Sequence, residues 1–283
     1  MRDVVRFMLF PARCSASGTA RRSMKIRGVY VMNSRLPILS YQARLRLRSV
    51  VEKLFGLQMC NISRHGFREC ADIARRGYEI KVIFDVGANI GQSALKYKSA
   101  FPAAQVHCFE PVTQTFAELR RTMRGYSQVY FHQLALGSAD AQARVYLTGQ
   151  SVTNSLVKPA QSVGEEVVPL RTIDSFTAAQ AIPRIDLLKI DTEGFDQEVL
   201  SGAARMFSAG AIGFVLVEAG FHPGDARHVL FDHVRDFLIP KGFAVFGIYD
   251  QELEWSGEPR LRFANVCFIN ENAWDEKSRK NSR

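Results

Sequence analysis

The chain has 283 residues, 47% apolar and 23% charged, a balance typical of a soluble globular protein rather than a fibrous or low-complexity one. No apolar run approaches the roughly 18–20 residues that cross a bilayer, so no transmembrane helix is expected. The net charge of +9 is uneven: residues 1–78 hold 16 Lys/Arg against 4 Asp/Glu, and residues 79–283 hold 21 against 24. The near-neutral remainder has no basic stripe for a phosphate backbone, so nucleic acid is not an expected partner.

Taken in chain order, residues 1–35 are Arg- and Ser-rich and acid-poor. They are read as a disordered basic tail, with a targeting segment or a later start at Met24 or Met32 as the other readings. Residues 36–78 are read as a helical cap: an amphipathic helix over 36–60, then a short helix over 66–78. From Lys81 onward, short apolar runs alternate with helix-like segments over Gln92–Ser99, Thr113–Met123, Gln197–Phe207 and Ala226–Leu238. That alternation predicts an α/β fold, a mostly parallel sheet with helices on both faces. Two segments, ARVYLTG and EEVVPLRTI, lack a helix between them and predict an antiparallel insertion. FAVFGIYDQ and RFANVCFIN predict an antiparallel hairpin closing a domain over 79–273, followed by a charged tail over 274–283.

Ligands of open α/β sheets bind beyond the carboxyl ends of the strands. The proposed strands end at Asp85, Gly87 and Asn89; at Glu110; near Ala135; at Asp191 and Glu193; and at Glu218. The first turn, DVGANIG, is not the dinucleotide G-x-G-x-x-G, because Asn89 stands where the second glycine would open the backbone to a pyrophosphate. Asp85 beside it repels phosphate and attracts a cation. S-adenosylmethionine, with an amino group and no phosphate, fits this turn better than NAD. Glu110, 19 residues after Gly91, stands near the interval of a ribose-binding acid and suits either cofactor. Lys189 lies in an apolar run, where a buried ammonium needs a partner, and Asp191 shares its face of the strand. The pair reads equally as functional or as a structural ion pair. His222, His228 and His233 are spaced by six and five residues, unlike a helical ligand pair, so all three are read as exposed helix residues rather than metal ligands.

FDVGANIGQSAL, FEP, LALG, TID, IDLLKIDTEG, VLSGA and VLVE occur in this order over residues 81–220. In these motifs the chain resembles the FkbM-type family of S-adenosylmethionine-dependent methyltransferases. The resemblance implies the class I, Rossmann-like fold and methyl transfer to a hydroxyl oxygen of a sugar or secondary-metabolite acceptor. It implies that Asp85, Gly87, Asn89, Gly91 and Ala135 hold the cofactor and that Glu110 holds its ribose. Asp191, Glu193, Glu218 and His222 are the candidate bases, unranked. A divalent ion held by Asp191 and Glu218 is the less favoured reading. An NAD-dependent oxidoreductase on a variant turn and a non-catalytic methyltransferase-like scaffold are the alternatives. Five cysteines, an odd set without C-x-x-C spacing, argue against disulfides and zinc and for a reducing, cytoplasmic setting. Oligomeric state stays open.

Overall fold

The run Val82–Val86 forms strand β1 at the centre of an eight-stranded sheet. The computed structural model describes residues 68–148, 154–157, 162–225, 227–253 and 260–272. The expected tail, the helix over 36–60 and the charged C-terminal segment lie outside the described residues. The helix expected over 66–78 is α1 (Arg68–Arg75). After it come β1, α2 (Gln92–Ala100), β2 (Gln105–Phe109), α3 (Thr113–Thr122), β3 (Val129–His132) and β4 (Ala135–Leu136). The insertion is β5 (Ala141–Leu147) and β6 (Gly164–Arg171), antiparallel as expected, with β4 on the other edge of β6 as a separate sheet. Next come α4 (Ile173–Ala179), β7 (Ile185–Ile190), α5 (Asp196–Ser201), α6 (Ala204–Ser208), β8 (Ile212–Gly220), β9 (Val229–Leu230) and α7 (Phe231–Leu238). The hairpin β10 (Phe243–Leu253) and β11 (Leu261–Asn270) closes the fold.

The main path runs β3-β2-β1-β7-β8-β11-β10, with β11 antiparallel to both neighbours. This is the class I methyltransferase arrangement. From β1 the chain steps outward to β2 and β3, then returns to β7 on the other side of β1 and steps outward to β8. Neighbouring connections therefore leave on opposite faces, and a crevice opens beyond the ends of β1 and β7. Alternation along the strands feeds two cores. Ile83, Leu187 and Val106 pack with α1, α2 and α3, while Phe84, Val86, Leu188 and Ile190 pack with α4 to α7. Burying each such side chain contributes roughly 1.5–3 kcal/mol. Among the described residues, no helix is long and apolar enough to cross a membrane. Cys70, Cys108 and Cys267 are buried, free thiols.

Three segments differ from expectation. The helix expected over Gln197–Phe207 is two helices, broken at Gly202. A Cβ there would stand 1.9 Å from the Gly137 carbonyl oxygen, so the chain passes too close to continue as an ordinary helix. Asp174 accepts from the Arg205 and Met206 amides at 2.7 and 3.0 Å and so starts the second piece. Helix α4 was not anticipated, although its cap is legible: Thr172 Oγ1 accepts from the Ser175 amide at 2.9 Å. The helix expected over Ala226–Leu238 begins only at Phe231, because residues 229 and 230 pair with β8 as a strand. His228 is therefore not on a helix.

Candidate active site

Strand β1 stops because its next residue, Gly87, turns left-handed at φ 75°. The amides of Gly87 and Ala88 both donate to the Phe109 carbonyl, at 3.1 and 3.0 Å, locking the turn to the end of β2. A Cβ on Gly87 would fall 1.9 Å from the Asp191 carbonyl oxygen, so the ends of β1 and β7 meet where only glycine fits. Asn89 follows at φ 47°, a conformation asparagine tolerates. Its amide donates to Glu110 Oε2 at 3.1 Å, and the Val112 amide donates to Glu110 Oε1 at 3.0 Å. Glu110 is buried, and that burial, opposed by the two amides, pushes its carboxyl up to about 7.

These residues line one side of a cavity of about 320 Å³ beyond the strand ends. Leu134, Ala135, Leu136 and Val145 supply apolar wall, and Asp191, Glu193 and Glu218 supply acid. A concave site of this size with convergent polar groups beside apolar wall is where a small molecule binds. Asn89 Oδ1 is buried here with no partner among the described residues.

Two expected cofactor residues do not reach the cavity. Asp85 is 0% exposed and absent from the cavity wall. Alternation explains it: Asp85 lies two residues from Ile83 and shares its α1–α3 face of the sheet, while its neighbour on β7, Lys189, does reach the cavity wall. Lys189 Nζ lies 3.4 Å from Asp85 Oδ1, 3.1 Å from Asp191 Oδ2 and 3.4 Å from the Gly87 carbonyl oxygen. Burial pulls this ammonium down, but the carboxylates of Asp191 and Asp85 outweigh it and hold Lys189 charged. Gly91 also stands outside the cavity, packed at the start of α2 with its φ of 96° against Leu119 and Met123.

The acidic side is built by the turn Thr192–Asp196. Glu193 and Gly194 are both left-handed, at φ 53° and 98°. Asp196 fastens them, accepting from the Thr192 and Gly194 amides at 3.2 and 3.3 Å. Ser155 Oγ donates to the Glu193 carbonyl at 2.7 Å. Asp191, Glu193 and Glu218 present carboxylate oxygens within 4.8 Å of one another. Each lies beside a basic group: Lys189 on Asp191 at 3.1 Å, Arg227 on Glu193 at 3.0 Å, and His228 on Glu218 at 3.3 Å, with Lys189 shared with Asp85 and His228 with Asp225. His222 is not among them. It sits in the turn after β8, where its Nδ1 accepts from the Gly224 amide at 3.0 Å. His228, expected at the surface of a helix, has a side chain only 7% exposed and lies between Glu218 and Asp225. Arg227 and Asp225 carried no signal in the sequence, because the loop that brings them over β8 has no motif. The parallel pairing of Val229 with Ala219 is what sets residue 228 beside residue 218.

Residues 85–245 match the methyltransferase FkbM domain, more than half of the chain. The chain belongs to the FkbM methyltransferase family. It is similar to Methyltransferase 1 of Beauveria bassiana, 30% identical over 58% of this chain and 72% of that protein. It is similar to the hexuronic acid methyltransferase AglP of Haloferax volcanii, 25% identical over 67% of this chain and 76% of that protein. It is also similar to the 31-O-demethyl-FK506 methyltransferase FkbM of Streptomyces tacrolimicus, 28% identical over 45% of this chain. This chain spans 62% of the Streptomyces protein. The fold and the family make S-adenosylmethionine the methyl donor, and the cavity fits it: close backbone at Gly87, a buried strand-end acid at Glu110 and an unpartnered buried oxygen on Asn89.

Proposed function

We propose that this enzyme transfers a methyl group to a hydroxyl oxygen of a sugar or secondary-metabolite acceptor that enters at the acidic side of the cavity. The observation that carries the reading is the set of three carboxylates gathered within 4.8 Å of one another in the cavity that Gly87 and Glu110 also line. The names of the Haloferax and Streptomyces relatives support a hydroxyl-bearing acceptor of this kind. When bound, S-adenosylmethionine supplies an electrophilic methyl: the acceptor oxygen forms the new O–C bond, the C–S bond breaks with its electron pair left on sulfur, and the hydroxyl proton leaves to a base. Glu110 would hold the ribose hydroxyls, and Asn89 with the Gly87 backbone would hold the methionine part. Asp85 would act one layer back, through Lys189. A carboxylate within hydrogen-bond reach of the hydroxyl takes its proton, and positioning supplies much of the remaining rate.

A divalent ion at the three acids is the weaker reading. Lys189, Arg227 and His228 stand 3.1, 3.0 and 3.3 Å from the three acids, and these basic groups already occupy carboxylate oxygens that a divalent ion would need. Methyl transfer from labelled S-adenosylmethionine to methyl glucoside and methyl glucuronide should therefore survive EDTA. Loss of activity with EDTA and its return with Mg²⁺ would assign the acids to a metal, and methylation of neither glycoside would remove the sugar half of the reading.

The raised Glu110 carboxyl gives a pH dependence. Below about 7 it holds a proton and loses acceptor capacity for ribose hydroxyls; above 7 it is ionised. S-adenosylhomocysteine affinity should rise between pH 6 and 8 by up to roughly tenfold. In Glu110→Gln the affinity should be weaker and flat with pH. A wild-type affinity flat across this range would separate Glu110 from the ribose role.

A further inference from the structure

Three carboxylates face the cavity, and their surroundings are not equivalent. Asp191 shares Lys189 with the buried Asp85, so its cation is divided between two carboxylates. Glu193 accepts two hydrogen bonds from the half-exposed Arg227, Nε at 3.3 Å and a terminal nitrogen at 3.0 Å, both on Oε2. Glu218 differs in that its cation is itself held rigidly. His228 Nε2 lies 3.3 Å from Glu218 Oε2, and His228 Nδ1 lies 2.7 Å from Asp225 Oδ2. The imidazole stacks on Phe263 with ring centroids 4.4 Å apart. Asp225 in turn accepts from the Arg227 amide at 3.0 Å, with Arg262 Nε 3.8 Å away. A ring with a carboxylate beside each nitrogen is placed to hold both of its protons, and the two acids favour the imidazolium.

Resting on the hydroxyl-methylation reading above, we propose that His228 is a positioning residue for that reaction. Clamped by Asp225, it fixes Glu218 through Oε2 and leaves Oε1 to take the acceptor's hydroxyl proton. Among the described residues Glu218 Oε1 has no other partner. The proton balance is closed within the site. The acceptor O–H bond breaks, the proton goes to Glu218 Oε1, and His228 keeps both of its protons throughout. This assigns the base among three otherwise similar acids. The backbone makes the assignment structural as well, since the β9 pairing sets His228 against the last turn-facing acid of β8.

The test uses the full chain with Glu218→Gln, His228→Gln, His228→Ala and Asp225→Asn, each first titrated with S-adenosylhomocysteine to show that the fold and cofactor pocket survive. On methyl glucoside and methyl glucuronide, Glu218→Gln should lower kcat by about 100-fold or more, the scale of a lost general base. His228→Ala should lower kcat by tens of fold with the acceptor KM changed less than twofold. His228→Gln, which keeps a donor at the Nε2 position, should recover part of that loss. The double variant Glu218→Gln with His228→Ala should be no worse than Glu218→Gln alone. Burial works against the imidazolium, but Glu218 and Asp225 outweigh it and push its pKa up to about 9. Imidazole ¹⁵N resonances should therefore show His228 doubly protonated at pH 8, and in Glu218→Gln or Asp225→Asn its pKa should fall, because one of the two carboxylates that raise it is gone. Wild-type kcat in both His228 variants beside a damaged Glu218→Gln would overturn the proposal while leaving Glu218 as base. Wild-type kcat in Glu218→Gln would instead sink the assignment of the base. If neither glycoside is methylated, the ¹⁵N measurement decides: a wild-type His228 that titrates near 6.5 overturns the proposal, and an imidazolium at pH 8 that collapses in both carboxamide variants upholds the clamp.

Discussion

Lys189→Ala is expected to cost about 3–5 kcal/mol of stability, the largest single loss of a charged group in this protein. Lys189 is 6% exposed and its ammonium bridges Asp85, Asp191 and the Gly87 carbonyl. Without it, Asp85 is left 0% exposed, and among the described residues no hydrogen bond reaches either carboxylate oxygen. A buried unpaired carboxylate must bind a proton or remain charged at high cost. Burial already raises the Asp85 carboxyl, with Lys189 opposing it. Removing Lys189 raises it further, so the variant is stabilised below that raised pKa and loses stability as pH rises through it. Urea unfolding at pH 5 and pH 8 checks this: the deficit should be larger at pH 8. Asp85→Asn in the same chain should recover much of the loss by removing the orphan charge. A Lys189→Ala variant as stable as wild type at pH 8 would show that the ammonium is not the partner of Asp85.

Gly87→Ala is expected to abolish measurable S-adenosylhomocysteine binding and to cost several kcal/mol of stability. Two effects add. A non-glycine residue at φ 75° is strained by roughly 1–2 kcal/mol. The added methyl would also overlap the Asp191 carbonyl oxygen at 1.9 Å, which is backbone and moves only if β1 and β7 separate, at a further ~1–3 kcal/mol. Gly125→Ala is the control. Gly125 also has positive φ, at 91°, but nothing lies within 4 Å of its added Cβ, so only the conformational term remains and cofactor affinity should be unchanged. Equal behaviour of the two variants would mean that the β1–β7 contact does not shape the cavity.

How far the sequence reached depended on whether a signal was local. Strand runs such as KVIFDV and IDLLKI announce themselves, because burial on both faces demands continuous apolar residues. The strand-end acids follow from the same runs, and Glu110, Asp191, Glu193 and Glu218 do line the cavity. Asp85 misleads for a physical reason. Its place next to the glycine turn is correct, but alternation from Ile83 turns its side chain to the α1–α3 face, where it meets Lys189 from 104 positions further along the chain. Gly91 is similar: its left-handed backbone is needed, yet the need comes from starting α2 against Leu119 and Met123. His228 was least legible. A helical pattern from Ala226 predicts an exposed ring, whereas two residues of β9 pairing place that ring between two acids. A break in the apolar spacing before Phe231 was the available hint.

The most direct test of the central claim is calorimetric titration of the full chain with S-adenosylhomocysteine and, in parallel, with NAD, for wild type and Glu110→Gln. A cavity built as described binds S-adenosylhomocysteine at one site per chain, more weakly in Glu110→Gln, and does not bind NAD. Binding of NAD, or of neither ligand, would contradict it.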